Sequence, residues 1–196
     1  MFGFLRRAAA RINRLAGLSL RRTYLYRRVK PEGWSATPAS DQGPRAELLS
    51  PELVGRLPDI GWFDVSGGLQ RLHHGDRCYA VWLDGRLAHY SWVQRSGSHP
   101  ITEAGISVPV ADGEFWIYDC RTVEWARGKG IYPAILEQVV NEHFEAGYCR
   151  AWIYTSRENI PSQRGILRAG FGQVATLRAF RAGSRYYHIG RACQGP

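Results

Sequence analysis

A chain of 196 residues with 44% apolar content is long enough for one domain with a sizeable core and room for an appendage. Its formal charge of +9 sits at one end: nine of the 26 basic residues fall within residues 1–30, which hold no acid, and the other 17 balance the 17 acids. The neutral body does not argue for nucleic-acid binding, no run approaches the ~20 apolar residues of a membrane span, and four scattered cysteines without a Cys-x-x-Cys pair argue against a zinc site.

Residues 4–20 plot as an amphipathic helix, with Phe4, Leu5, Ile12 and Leu15 opposite Arg6, Arg7, Arg11 and Arg14. Two readings stand open: a helix packed on its own domain or on a second copy, and a helix lying on an anionic membrane surface through residues 4–22. Thr23 to Val29 alternates and predicts a first strand, so residues 1–32 form a basic arm and residues 33–196 the main domain. Glu32 to Arg45 is a loop, and short helices are expected around Pro51–Leu57 and Leu69–His74. Asp84-Gly85 between alternating runs is a hairpin signal. Next come a polar connection over Ser96–Asp112 with a short strand at Ile106–Val110, then a strand at Glu114–Val123. A helix over Gly130–Ala146, a strand at Arg150–Thr155 and a helix over Glu158–Ala169 follow. Two strands, Phe171–Phe180 and Arg185–Ile189, close the chain. The order predicts an α/β chain of mixed α+β type, its central mixed sheet flanked by helices. Arginines break up the N-terminus too often for a secretory signal, and three of Cys78, Cys120, Cys149 and Cys193 read as buried thiols, so the expected location is cytoplasmic.

The most informative stretch is Arg127-Gly128-Lys129-Gly130-Ile131-Tyr132, between a predicted strand and a predicted helix. Glycines let backbone approach a ligand, and the first N–H groups of a helix lack internal partners and carry partial positive charge. Such a turn is suited to a diphosphate, with Arg127 and Lys129 adding charge. The spacing fits neither a nucleotide-hydrolase loop nor a Gly-x-Gly-x-x-Gly fingerprint.

Strand, Arg-Gly-x-Gly, helix, strand, Asn-x-x-Ser, short helix and Gly-Phe is an order that resembles the GCN5-related N-acetyltransferases over about residues 77–180. That family's Gln/Arg-x-x-Gly-x-Gly/Ala motif is matched by Arg127-x-x-Gly130-x-Tyr132, and its second motif by Asn159-Ile160-Pro161-Ser162 through Gly170-Phe171. The resemblance implies acetyl-CoA, or a longer acyl-CoA, as co-substrate. Its diphosphate would meet Arg127, Gly128, Lys129, Gly130, Ile131 and Tyr132. Its pantetheine arm would pair with Cys120, Arg121 and Thr122 beside a second strand that splays away, and Asn159 and Ser162 would contact the arm's far end. The acceptor would be an amine of a small molecule, amino sugar or natural product, in bacterial cytoplasm or at its inner membrane face. The alternative is a non-catalytic acyl-CoA-binding module or a membrane-associated scaffold. A homodimer is also compatible; no metal and no nucleic acid are expected.

Two positions depart from the pattern. Tyr132 stands where the family has a small residue, and Ile166 stands where many members carry a tyrosine as acid for the leaving thiolate. Candidates for proton transfer are therefore sought on the two strands, Tyr154, Asp119 and Glu114; Glu103 is expected to reach the same cleft, and His89 and His99 are weaker candidates. Asp119 reads either as a buried base or as an ion pair with an arginine. Strand alternation places Asp119 and Arg121 on one face and Tyr118 and Cys120 on the other. Trp34, Trp62, Trp82 and Trp92 read as either pocket lining or core.

Overall fold

A computed structural model describes residues 18–35, 43–55 and 64–193. Its principal feature is an eight-stranded sheet. The strands are β1 (Leu18–Val29), β2 (Glu47–Leu48), β3 (Arg77–Leu83), β4 (Arg86–Gln94), β7 (Glu114–Thr122), β8 (Arg150–Ser156), β9 (Gly172–Ala182) and β10 (Arg185–Cys193). Their spatial order is β10-β9-β1-β8-β7-β4-β3-β2, and only β7 and β8 run parallel. A separate two-stranded ribbon joins β5 (Ser98–Ile101) to β6 (Ile106–Pro109) through a 3-10 turn at Thr102–Ala104. The helices are α1 (Pro51–Gly55), α2 (Val65–His73), α3 (Ile131–Glu145) and α4 (Ile160–Arg168).

The alternation along the strands separates two faces. Tyr79, Val81, Phe115, Ile117, Ala151 and Ile153 join Ile135, Leu136, Val139 and Val140 of α3 and Ile166 of α4 in the main core. On the opposite face Cys78, Ala80 and Trp92 form a second cluster with Val54 of α1, and Leu25, Trp116 and Ala175 a third with Ile101 and Ala104. α3 is fully buried along its inner stripe and ends on Gly147 with φ 95°. Asn159 caps α4, its side-chain oxygen accepting from the Ser162 N–H at 3.2 Å, worth about 1 kcal/mol.

β1, the first strand expected within residues 1–32, lies inside the sheet between β8 and β9. The last three residues of the helix expected over residues 4–20 are strand. Residues 1–17 are outside the described set, but Leu18–Leu20 belong to β1, where pairing with β9 outweighs helical periodicity. Ser98–Ile101, expected as part of a polar connection, is a strand. Of the four cysteines only Cys78 is fully buried; Cys120 is partly buried, and Cys149 and Cys193 are exposed. Trp92 is buried, Trp82 packs against the second cluster, and Trp34 meets Phe144 edge-on at 5.7 Å, so these three are core; Trp62 lies outside the described residues. Among the described residues no helix is long and apolar enough to cross a membrane.

Candidate active site

β7 and β8 are paired over three residues only, Glu114–Trp116 against Arg150–Trp152. Beyond that point each strand bonds to its other neighbour, β7 to β4 and β8 to β1, and the two part. A cavity of about 630 Å³ fills the opening. Its walls come from both sides of the sheet. Cys120, Tyr132, Ile153 and Ser162 line it on the α3–α4 side, and Arg71, His99, Glu103, Tyr118 and Tyr154 on the α2–β5 side. The cavity between the parted strands is therefore lined from both faces of the sheet.

A β-bulge shapes one wall. β4 advances two residues from Tyr90 to Trp92 while β7 advances three, from Arg121 back to Tyr118. The extra residue on β7 is Asp119, at φ 44°, a left-handed conformation that Asp tolerates better than most residues. The expected alternation fails here for that reason. Tyr118 packs beside Trp92 on the α2 side, whereas Cys120 joins the main core on the α3 side. Asp119 turns to Arg71 of α2, with 2.7 Å between Nη1 and Oδ2, and to Arg121, with 3.7 Å between Nε and Oδ1. Of its two sequence readings, the geometry is that of the ion pair. Tyr118 Oη donates to Asp76 Oδ2 at 2.5 Å, and burial lifts the Asp76 carboxyl above its ordinary value.

Glu114, expected to reach the cleft, does not line it. It sits at the closed end of the β7–β8 pair, ion-paired with Arg150 and accepting from Trp152 Nε1 at 2.8 Å. Its buried carboxylate fastens the strands where they still touch. Tyr154 does line the cavity, its phenol pushed up by burial and by the neighbouring Glu103 carboxylate.

The glycine turn takes the predicted place between β7 and α3. Gly130 is the N-cap of α3 at φ 71°, so the helix end has no side-chain cap hydrogen bond. Arg127, Gly128, Lys129 and Gly130 are exposed, and Ile131 turns into the core. Trp125, in the preceding turn, lies under Arg86 at 4.6 Å and Lys129 at 5.4 Å, so cationic charge gathers beside this helix end. Thr122 Oγ1 shares a hydrogen bond of 2.8 Å with His89 Nδ1, whose Nε2 meets Ser91 Oγ at 2.8 Å. Burial lowers His89 to about 4 and raises the Cys120 thiol to about 12, so both are neutral near pH 7.

Tyr132, the residue that departs from the motif, projects from the first turn of α3 across Gly165 of α4. Its hydroxyl lies 3.3 Å from Ser162 Oγ, and burial holds the phenol protonated well above its usual range. Ile166 beside it is wholly buried. Arg71, Asp76 and Gln94 also line the cavity without having been marked in the sequence; they lie on α2, a loop and the end of β4, and only long-range pairing gathers them.

No protein-family model and no curated protein matches this sequence. Solved structures do. A putative acetyltransferase from Novosphingobium aromaticivorans superposes with a TM-score of 0.57 at 16% identity, covering 85% of this chain and 68% of that one. A GCN5-related N-acetyltransferase from Sphaerobacter thermophilus gives 0.57 at 16% identity, over 95% of this chain and 56% of its own. One from Kribbella flavida gives 0.53 at 16% identity, over 87% and 62%. This chain thus spans between just over half and about two thirds of the length of these structures. With its strands parted over a passage and its glycine turn opening a helix beside them, the chain has the fold of the GCN5-related N-acetyltransferases.

Proposed function

We propose that this protein is an acyl-CoA-dependent N-acyltransferase that moves an acetyl group from acetyl-CoA to an amine of a small molecule, amino sugar or natural product. The observation that carries the reading is the three-residue β7–β8 pairing, which leaves free strand edges over a passage beside an uncapped helix N-terminus. The N–H groups of Gly128 to Tyr132, with Arg127 and Lys129, suit the diphosphate of coenzyme A. The edge at Cys120, Arg121 and Thr122 suits the amides of its pantetheine arm, and Asn159 and Ser162 stand across the opening from it.

In the reaction the amine nitrogen attacks the thioester carbonyl, the carbon–sulfur bond breaks, one proton leaves nitrogen and one is needed by sulfur. Holding both reactants in one passage supplies much of the rate. Ile166 cannot donate a proton; the phenol of Tyr132, kept protonated by its burial and reaching the same wall as Cys120 and Ser162, takes that role. Asp119, bound between two arginines, positions rather than transfers a proton.

The three acetyltransferase structures described above are bacterial, which supports a bacterial source, and the same proposal puts the enzyme in the cytoplasm. The basic residues 4–22 suit an anionic inner membrane surface. A second reading, an acyl-CoA-binding module without catalysis, is favoured by one observation, the aliphatic burial of Ile166. Calorimetry with coenzyme A and thiol release from acetyl-CoA with amines test both. Binding with amine-dependent thiol release supports the enzyme, binding without release on any amine supports the module, and no binding overturns both.

A further inference from the structure

β7 and β8 last pair at Trp116 and Trp152, whose rings stack at 5.7 Å. The next side chains on that face are Tyr118 and Tyr154. There the His99 ring of β5 stands between the strands, 5.2 Å from the first and 5.9 Å from the second. Its plane lies on the Trp116 ring at 4.6 Å. His99 is only 2% exposed, and it lines the cavity. The ring therefore forms the end wall of the opening, at the point where the strands close.

This wall is held from several sides. Gln94 Nε2 donates to the carbonyls of Ser96 at 3.0 Å and Ser98 at 3.3 Å, which turns Gln94 Oε1 toward His99 Nδ1 at 2.7 Å. An amide oxygen can only accept, so Nδ1 carries the proton and donates it. Burial lowers the ring to about 4, so it is neutral near pH 7. A ring fixed by three aromatic neighbours and a hydrogen bond yields poorly to a guest, because added volume in a packed interior displaces side chains.

A pantetheine arm that enters at the mouth of α3 and follows the β7 edge through Thr122, Arg121 and Cys120 brings its thioester to Tyr118, with His99 next to it on the closed side. We infer that His99 is the end stop of the acyl slot and restricts the donor to acetyl-CoA against longer acyl-CoA. A longer chain has two ways to go. Straight on, it overlaps the imidazole. Turned aside, it lies among Arg71, Asp76, Glu103 and Asp119, where an apolar chain displaces water from charged groups without bonding to them. This inference rests on the acyltransferase reading above.

Calorimetry with coenzyme A, acetyl-CoA and hexanoyl-CoA tests this independently of the acceptor. The wild type should bind hexanoyl-CoA at least about tenfold more weakly than acetyl-CoA. His99→Asn removes most of the ring and keeps an N–H for Gln94, and His99→Ala removes the ring outright. Each should bring the two acyl donors within about threefold of one another. His99→Phe keeps the volume without the hydrogen bond and should retain the wild-type ratio. Melting temperature and coenzyme A affinity report whether each variant is folded. Equal affinity of the wild type for both donors, a tenfold ratio kept by an opened variant that still binds coenzyme A, or loss of the ratio in His99→Phe would each overturn the inference and leave coenzyme A recognition standing. So would loss of coenzyme A binding in both opened variants alone, since His99 would then hold the slot rather than end it. Absence of coenzyme A binding in the wild type would remove the acyltransferase reading, and this inference with it.

Discussion

Replacing Gly165 by alanine sets two effects against each other where α4 crosses the start of α3. Alanine favours a helix interior over glycine by up to ~1 kcal/mol. But a Cβ built on Gly165 falls against Cδ1 of Tyr132 and 2.8 Å from its Cε1, well inside the ~3.5–4.0 Å at which carbon atoms rest. The ring does not swing freely, because it is partly buried against the main core, touches Ser162 through its hydroxyl and packs 5.9 Å from the His89 ring. Overpacking of this kind costs about 1–3 kcal/mol, so Gly165→Ala should destabilise by a net ~1–2 kcal/mol. At about 2–4 °C per kcal/mol for a chain of this size, the melting temperature should fall by roughly 2–8 °C. In a Tyr132→Ala background the obstacle is gone, and the same substitution should be neutral or stabilising by up to ~1 kcal/mol. Urea melts of the four proteins close the cycle, and the expected coupling is about 1–3 kcal/mol. If Gly165→Ala changed stability equally in both backgrounds, Tyr132 would not lie over Gly165, and its placement at the mouth of the passage would be wrong.

Three further outcomes are expected. Tyr132→Phe keeps the ring and removes only the hydroxyl, so kcat for acetyl transfer should fall by about 10²-fold or more with coenzyme A affinity within twofold of wild type, as measured by thiol release and calorimetry; an unchanged kcat would remove the phenol from the reaction. Asp119→Asn preserves the residue type best suited to φ 44° while removing the charge between Arg71 and Arg121, so kcat should fall by less than about tenfold, whereas a base would lose far more. Finally, His89, His99 and His143 are buried neutral, each with its pKa lowered by burial to about 4, against about 6.5 in the unfolded chain. The unfolded state then binds more protons between those values. The stability that the three contribute is intact above pH ~6.5 and is lost as pH falls toward about 4, by about 3 kcal/mol per histidine at most. Thermal melts at pH 7 and pH 5 should differ strongly; equal melting temperatures would show that these rings are not buried neutral.

Much of this architecture is legible in the residues because it is local. The Asp84-Gly85 hairpin turn, the glycine turn ahead of α3 and the Asn159 cap of α4 are each fixed by a few neighbouring residues. The second wall of the passage was not legible because no local rule specifies it. β5 is short and contains Pro100, which reads as loop. The bulge at Asp119 has no sequence mark, because it exists only as a mismatch between β7 and β4. A strict period of two therefore puts Cys120 on the wrong face, and only the register separates Glu114, at the closed end of the β7–β8 pair, from Asp119 at the open one.

The same register explains why the passage stays open. Two parallel strands with free edges gain hydrogen bonds by zipping together, so something must oppose it. At the closed end Glu114 binds Arg150 and Trp152, and Trp116 stacks on Trp152 at 5.7 Å, which fixes where pairing stops. Just beyond, the His99 ring of β5 stands within 5.2 Å of Tyr118 on β7 and 5.9 Å of Tyr154 on β8, a wedge between the two strands. The bulge then turns Asp119 toward Arg71 and leaves β7 following β4. Opening is thus imposed from the β5–α2 side. The parting of the strands is therefore set by side chains on β5 and α2 that alternation along β7 and β8 alone does not specify.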